Sequence, residues 1–168
     1  MKRFLTILFL GLATLGSTTA MAQAKFGHIN SDELLSLMPE TKAAQGQLEK
    51  HNKELESTLN TMLEEYQNKM AEFEANQKLM TDVVRDSKYR QLADLEQRIQ
   101  EFQQTGSQSL QQMEVELLTP ILEKAQNAID AVAKEKGLTY VFDTSKGAVL
   151  YAEDSQNLMA PVKSKLGL

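Results

Sequence analysis

The chain has 168 residues, a formal charge of −5, no cysteine and no tryptophan. The acidic balance argues against nucleic acid as a partner. The missing cysteines exclude a disulfide framework, a thiol-linked lipid anchor and a cysteine nucleophile.

The opening stretch MKRFLTILFLGLATLGSTTAMAQA has a basic start, an apolar run from Phe4 to about Leu15 and two overlapping A-x-A motifs. It reads as a secretory signal peptide over residues 1–22, cut after Ala22 or Ala24, and too short in its apolar run for a membrane span. Removing Lys2 and Arg3 takes the formal charge from −5 to −7 and leaves an exported chain, expected in the periplasm.

Lys25–Ile29 then predicts a short strand. Asn30 is placed to cap a short helix, with Glu33 three positions later, and Pro39 suits the first turn of the next helix. From Glu40 to Lys136 the pattern is helical, rich in Glu, Gln, Leu, Lys and Met, which argues against one compact globule. Gly137 fits a helix C-terminus. Leu138–Phe142 and Ala148–Ala152 predict two strands joined by Asp143–Gly147 as a hairpin. Asp154 or Ser155 is expected to cap a last helix ending near Leu166.

Within the helical zone, one apolar seam runs through Leu55, Leu59, Met62, Tyr66, Met70, Phe73, Gln77 and Met80. A second runs through Leu92, Leu95, Ile99, Phe102, Gly106, Leu110, Met113 and Leu117. Each has one doubled step of four, at Met62-Tyr66-Met70 and at Phe102-Gly106-Leu110, a local departure from the heptad. Mirrored departures are expected if the chain folds back on itself. The predicted arm is therefore an antiparallel helical hairpin with its tip at about residues 84–88. That register sets Leu55 against Leu117, Met70 against Phe102, and Gly106 against Tyr66, with Gly106 and Tyr66 as a candidate hinge. The fold class is α-dominated α+β. A long coiled-coil arm (40–136) projects from a small β-containing oligomerisation head built from both chain ends, residues 23–39 and 137–168.

Catalysis finds no constellation here. His28, on the first strand, and His51, on the first long helix, lack the spacing of a metal site, and no catalytic or phosphate-binding motif occurs. No metal, cofactor or enzymatic activity is expected. An arm two helices thick instead leaves off-seam apolar residues uncovered: Leu63, Leu79, Val83, Val84 and Tyr89. With the adaptable seam methionines Met70 and Met80, they form the candidate binding surface.

KFGHINSDELLSLMPETKAAQGQLE, LLTPILEKAQNAIDAVAKEKGLTYVFD and VLYAEDSQNLMAPVKSKLGL resemble the Skp (OmpH-like) family of periplasmic chaperones, and the resemblance covers Lys25 to Leu168. It implies a jellyfish-shaped homotrimer that holds unfolded outer-membrane proteins between its arms without ATP. Phe26, Ile29, Val141, Phe142, Val149 and Leu150 would then lie in the shared body. It also implies weak membrane or lipopolysaccharide contact at the arm tips. The acidic charge argues against this, as does the interleaving of Asp82 and Asp86 with Lys78, Arg85, Lys88 and Arg90. Asn157-Leu158-Met159 departs from the family pattern, so the last helix is expected to be capped differently. The alternative function is a structural or adaptor coiled coil that docks one folded envelope partner.

Overall fold

The computed structural model describes residues 24–168; the expected signal peptide falls almost wholly outside them. In chain order the elements are β1 (Phe26–Ile29), α1 (Ser31–Leu37), α2 (Pro39–Asn76), α3 (Asp82–Lys136), β2 (Tyr140–Asp143), a 3-10 turn (Asp154–Gln156) and α4 (Met159–Leu166).

Local chemistry sets most of these boundaries. Asn30 Oδ1 accepts a hydrogen bond from Glu33 N–H at 3.0 Å and opens α1. Pro39 occupies the first turn of α2, where a missing N–H costs nothing. Gly137 closes α3 at φ 62°, a left-handed position that glycine occupies without strain. The last helix starts later than expected. Met159 N–H donates to Asn157 Oδ1 at 2.9 Å, so Asn157 supplies the turn that Asp154 or Ser155 was expected to make.

α2 and α3 form the antiparallel arm, with two corrections to its geometry. The tip is residues 77–81, not 84–88, because Thr81 Oγ1 accepts from Val84 N–H and starts α3 there. The register moves with it. Gly106 lies against Leu55, with Leu55 Cδ2 3.5 Å from where a Cβ would sit, and Tyr66 is not its neighbour. His51 Nε2 and Ser109 Oγ, 3.0 Å apart, and Lys88 Nζ with Glu72 Oε1, also 3.0 Å apart, report the same register. Leu55 therefore faces a residue about three helical turns from Leu117, the partner expected for it. A seam of threes and fours nearly matches itself when slid by three turns, so periodicity could not choose between the two.

The strands are also paired differently. β2 runs parallel to β1, with Phe26 beside Tyr140 and Ile29 beside Asp143. The whole helical arm is the crossover that a parallel pair requires. Residues 148–152 form no strand, and the predicted hairpin is absent. Asp143 instead accepts from Ser145 N–H at 2.9 Å in a local turn, while Thr144 N–H continues the ladder to Ile29 O at 2.9 Å.

The head core joins both chain ends to the base of α3. Ile29, Leu34, Met38, Ala44, Leu158 and Val162 pack with Ile121, Ala125, Ala128 and Val132. Those last four follow directly after Pro120, whose missing N–H leaves the Glu116 carbonyl without its helical donor and marks where α3 passes from arm to head. A Cβ at Gly27 in β1 would come within 2.7 Å of Leu138 Cδ1, so that side chain would have to move to admit it.

Candidate functional site

Two surfaces carry the largest share of the exposed apolar side chains among the described residues. The first is the arm tip. Leu79, Val83 and Tyr89 are 87, 82 and 65% exposed, and Val84 is half-exposed. They lie at this end because the turn at 77–81 ends the seam while the first two turns of α3 still carry off-seam apolar residues. Leu63 and Met70, expected on the same surface, are only partly exposed along the arm, and Met80 only partly exposed in the tip turn. The tip cations are largely engaged: Arg85 pairs with Asp82, Arg90 with Asp86 at 2.6 Å, and Lys88 with Glu72 at 3.0 Å.

The second surface is the outer face of the two-stranded sheet. Strand alternation sends Ile29 and Val141 toward the helices, and Phe26, His28, Tyr140 and Phe142 the other way. The rings of Phe26 and Tyr140 stack at 5.9 Å, those of Phe26 and Phe142 lie 5.9 Å apart, and all three remain about half exposed. Beside them the segment 148–152 runs free of any strand partner, with Leu150 98% and Tyr151 85% exposed. Between segment and sheet lies a groove of about 640 Å³ lined by Phe26, His28, Phe142, Val149 and Tyr151. His28 is buried at its floor, with Nε2 3.1 Å from the Glu153 carbonyl. The chain returns to β1 through Leu158 N–H, which donates to His28 O at 2.9 Å.

An electrostatic clasp holds this face to the helices. Burial on its own would raise the Asp143 carboxyl, but hydrogen bonds from Ser31 Oγ, Ser145 N–H, Ser31 N–H and Ser145 Oγ outweigh it and hold it at about 2. The Ser31 Oγ bond is 2.6 Å long, so the end of β2 is tied to the start of α1. Nearby, Lys146 bonds both Asp32 carboxylate oxygens, at 3.1 and 2.9 Å.

The structure thus divides the residues expected in a shared body. Ile29 and Val141 serve this chain's own core, whereas Phe26, Phe142 and Leu150 face outward, and Val149 lines the groove. Tyr140 and Tyr151 were missed. Tyr140 was legible from its two-residue spacing to Phe142; Tyr151 was hidden by the assumption that residues 148–152 form a strand.

The model of the family described as outer membrane protein (OmpH-like) matches residues 25–166. The chain belongs to the OmpH-like family. It is 27% identical over 162 residues to chaperone protein Skp of Photorhabdus luminescens, an alignment covering 96% of this chain and 97% of that relative. Chaperone protein Skp of Pectobacterium atrosepticum is 25% identical over the same shares. An OmpH-like outer membrane chaperone from Caulobacter crescentus has a TM-score of 0.75 to this chain at 14% identity, with 86% of this chain and 85% of that one covered. At that identity the likeness establishes the fold alone: long helical arms on a small parallel sheet. OmpH-like membership places the chain among chaperones, a non-enzymatic class.

Proposed function

We propose that this OmpH-like protein is a periplasmic, ATP-independent holdase that binds unfolded outer-membrane protein precursors between the arms of a homotrimer. The observation that carries the reading is the pairing of a projecting arm, apolar at its tip, with a head whose sheet face is left uncovered. A two-stranded sheet is marginal by itself. Three heads that share Phe26, Phe142, Val149 and Leu150 would bury the aromatic face and give residues 148–152 a partner. The arms would then stand around a common space, and Leu63, Met70, Leu79, Met80, Val83, Val84 and Tyr89 would offer clients weak, adaptable apolar contacts. A chaperone that prefers the unfolded state opposes aggregation by mass action, with no need for a nucleotide.

The test dilutes a urea-unfolded β-barrel protein into buffer with and without the purified mature chain. Light scattering is expected to fall in proportion to added trimer; unchanged scattering at molar excess would refute the reading. Sedimentation equilibrium should give three times the chain mass, and a concentration-independent monomer would refute the shared head. A single folded partner that binds saturably, with no effect on unfolded clients, would favour the adaptor alternative.

A further inference from the structure

At the base of the arm, α3 carries a repeat that lies outside the seam and touches the head core only through Leu118 and Ile129. Val115-Glu116, Leu122-Glu123 and Ile129-Asp130 place an apolar residue beside an acid every seven residues. Residues seven apart lie on one helix face two turns on, about 10.5 Å along the axis. The apolar members form a stripe that Leu118 thickens, and the acids run beside it. Val115 and Leu122 are 64 and 51% exposed, Ile129 and Leu118 are partly buried, and the three carboxylates are exposed. The stripe widens into a cleft of about 310 Å³ between α1 and α3, lined by Leu34, Leu35, Leu122, Ala125 and Ile129.

Nothing cationic answers these acids among the described residues. Glu116 accepts from Gln112 at 2.8 Å and Asp130 from Gln126 at 2.7 Å, both uncharged donors, and none of the three acids is in an ion pair. Of the lysines near them in sequence, Lys124 is paired with Glu40, and Lys134, one helical turn beyond Asp130, makes no ion pair with it. From Arg98 to Lys124 the helix has no cation at all. A second copy of this face would oppose one carboxylate row with another, so self-association is disfavoured.

We infer that this stripe docks unfolded polypeptide in which apolar residues alternate with lysine or arginine, so that the chaperone selects cationic segments of its clients at the arm base. The spacing suits such an occupant. In the polyproline II conformation that unfolded chains favour, one face repeats every three residues, about 9 Å, close to the separation of successive apolar–acid rungs. The inference rests on the holdase reading and adds to it a substrate class and a place on the arm distinct from the tip.

Fluorescence anisotropy with the full mature chain, using labelled unfolded peptides of repeated Leu-Lys-Gln or Leu-Glu-Gln triplets, tests it. The lysine peptide is expected to bind about tenfold tighter, the product of three weak exposed ion pairs, and to lose that margin at about 0.5 M salt. Glu116→Gln with Glu123→Gln and Asp130→Asn should abolish the preference. The same charge change on α2, Glu54→Gln with Glu56→Gln and Glu65→Gln, should leave most of it, which separates the row from net charge. Val115→Ser with Leu122→Ser should weaken both peptides severalfold. Equal binding of the two peptides, or a preference that survives the triple variant on α3, would overturn the inference. So would an altered oligomer mass in that variant, because another copy would then be the occupant. Barrel-protein aggregation, measured alongside on the unmodified chain, reports on holdase activity separately: suppression without charge preference would sink only the docking site.

Discussion

The head and the arm are built from the same residue types but hold together in different ways. In the head, Leu34 and Val162 are fully buried, and Met38, Ile29, Leu158 and Val132 nearly so, each enclosed by elements distant in sequence. Along the arm, α3 buries only Leu92, Leu95, Ile99 and Gly106 before the head begins, and the α2 seam from Leu55 to Phe73 is half-buried throughout. A head position is therefore defined by a three-dimensional fit, while an arm position is defined by one facing helix. The first arrangement is stable and unique; the second is adaptable and tolerant, which suits a surface that must meet varied partners.

The contrast breaks most readily in the head. Leu34→Ala should cost about 3 kcal/mol in urea unfolding, as loss of a fully enclosed side chain does, whereas Leu59→Ala in the half-buried seam should cost about 1 kcal/mol. Equal losses would erase the distinction. Gly27→Ala should follow at about 2 kcal/mol, because the added Cβ forces Leu138 and Leu158 aside. Thermal melting of the variant checks this, and an unchanged midpoint would show that both leucines yield freely.

A smaller effect separates the regions by pH. Asp143 in the head is held at about 2, below the ordinary 3.8, so its contribution is complete above about pH 4 and is lost as pH falls toward 2. After allowance for solvent screening of a surface carboxylate, that loss is about 1 kcal/mol. Asp143→Asn should flatten this part of the stability–pH curve, and an unaltered slope between pH 4 and 2 would exclude the clasp.

The smallest change tests the arm. A Cβ at Gly106 would sit 3.5 Å from Leu55, an ordinary contact, so steric need does not explain the glycine. Gly106→Ala should stabilise the helix by about 0.5–1 kcal/mol and slow hydrogen exchange at residues 103–109. We propose that Gly106 with its flanking Thr105, Ser107 and Ser109 is a bend point of the arm. Exchange in the unsubstituted chain as slow as at Leu92–Ile99 would contradict that role. Tyr66 has no part in it, because it lies about three helical turns from Leu55 along α2.

Signals that act within a few residues were legible in the sequence. Asn30, Pro39 and Gly137 mark helix ends through their own hydrogen bonds and dihedral preferences, and the long heptad seams predict two antiparallel helices whatever their partner register. One local signal went unread: Thr81 followed by Asp82 is a helix start, and it placed the tip where the mirrored seams did not. Of the candidate site, Leu79, Val83, Val84 and Tyr89 were legible because a thin arm cannot cover off-seam residues, and they are the exposed ones.

By itself, then, the sequence determined that this chain is a helical arm on a small mixed head, because periodicity and caps are properties of short stretches. Tertiary structure decided what those stretches meet. The arm register, the parallel partner of β2 and the release of residues 148–152 all depend on contacts between segments far apart in the chain. A repeating seam fits several registers almost equally well, and a four-residue strand accepts whichever edge lets its apolar face reach the core.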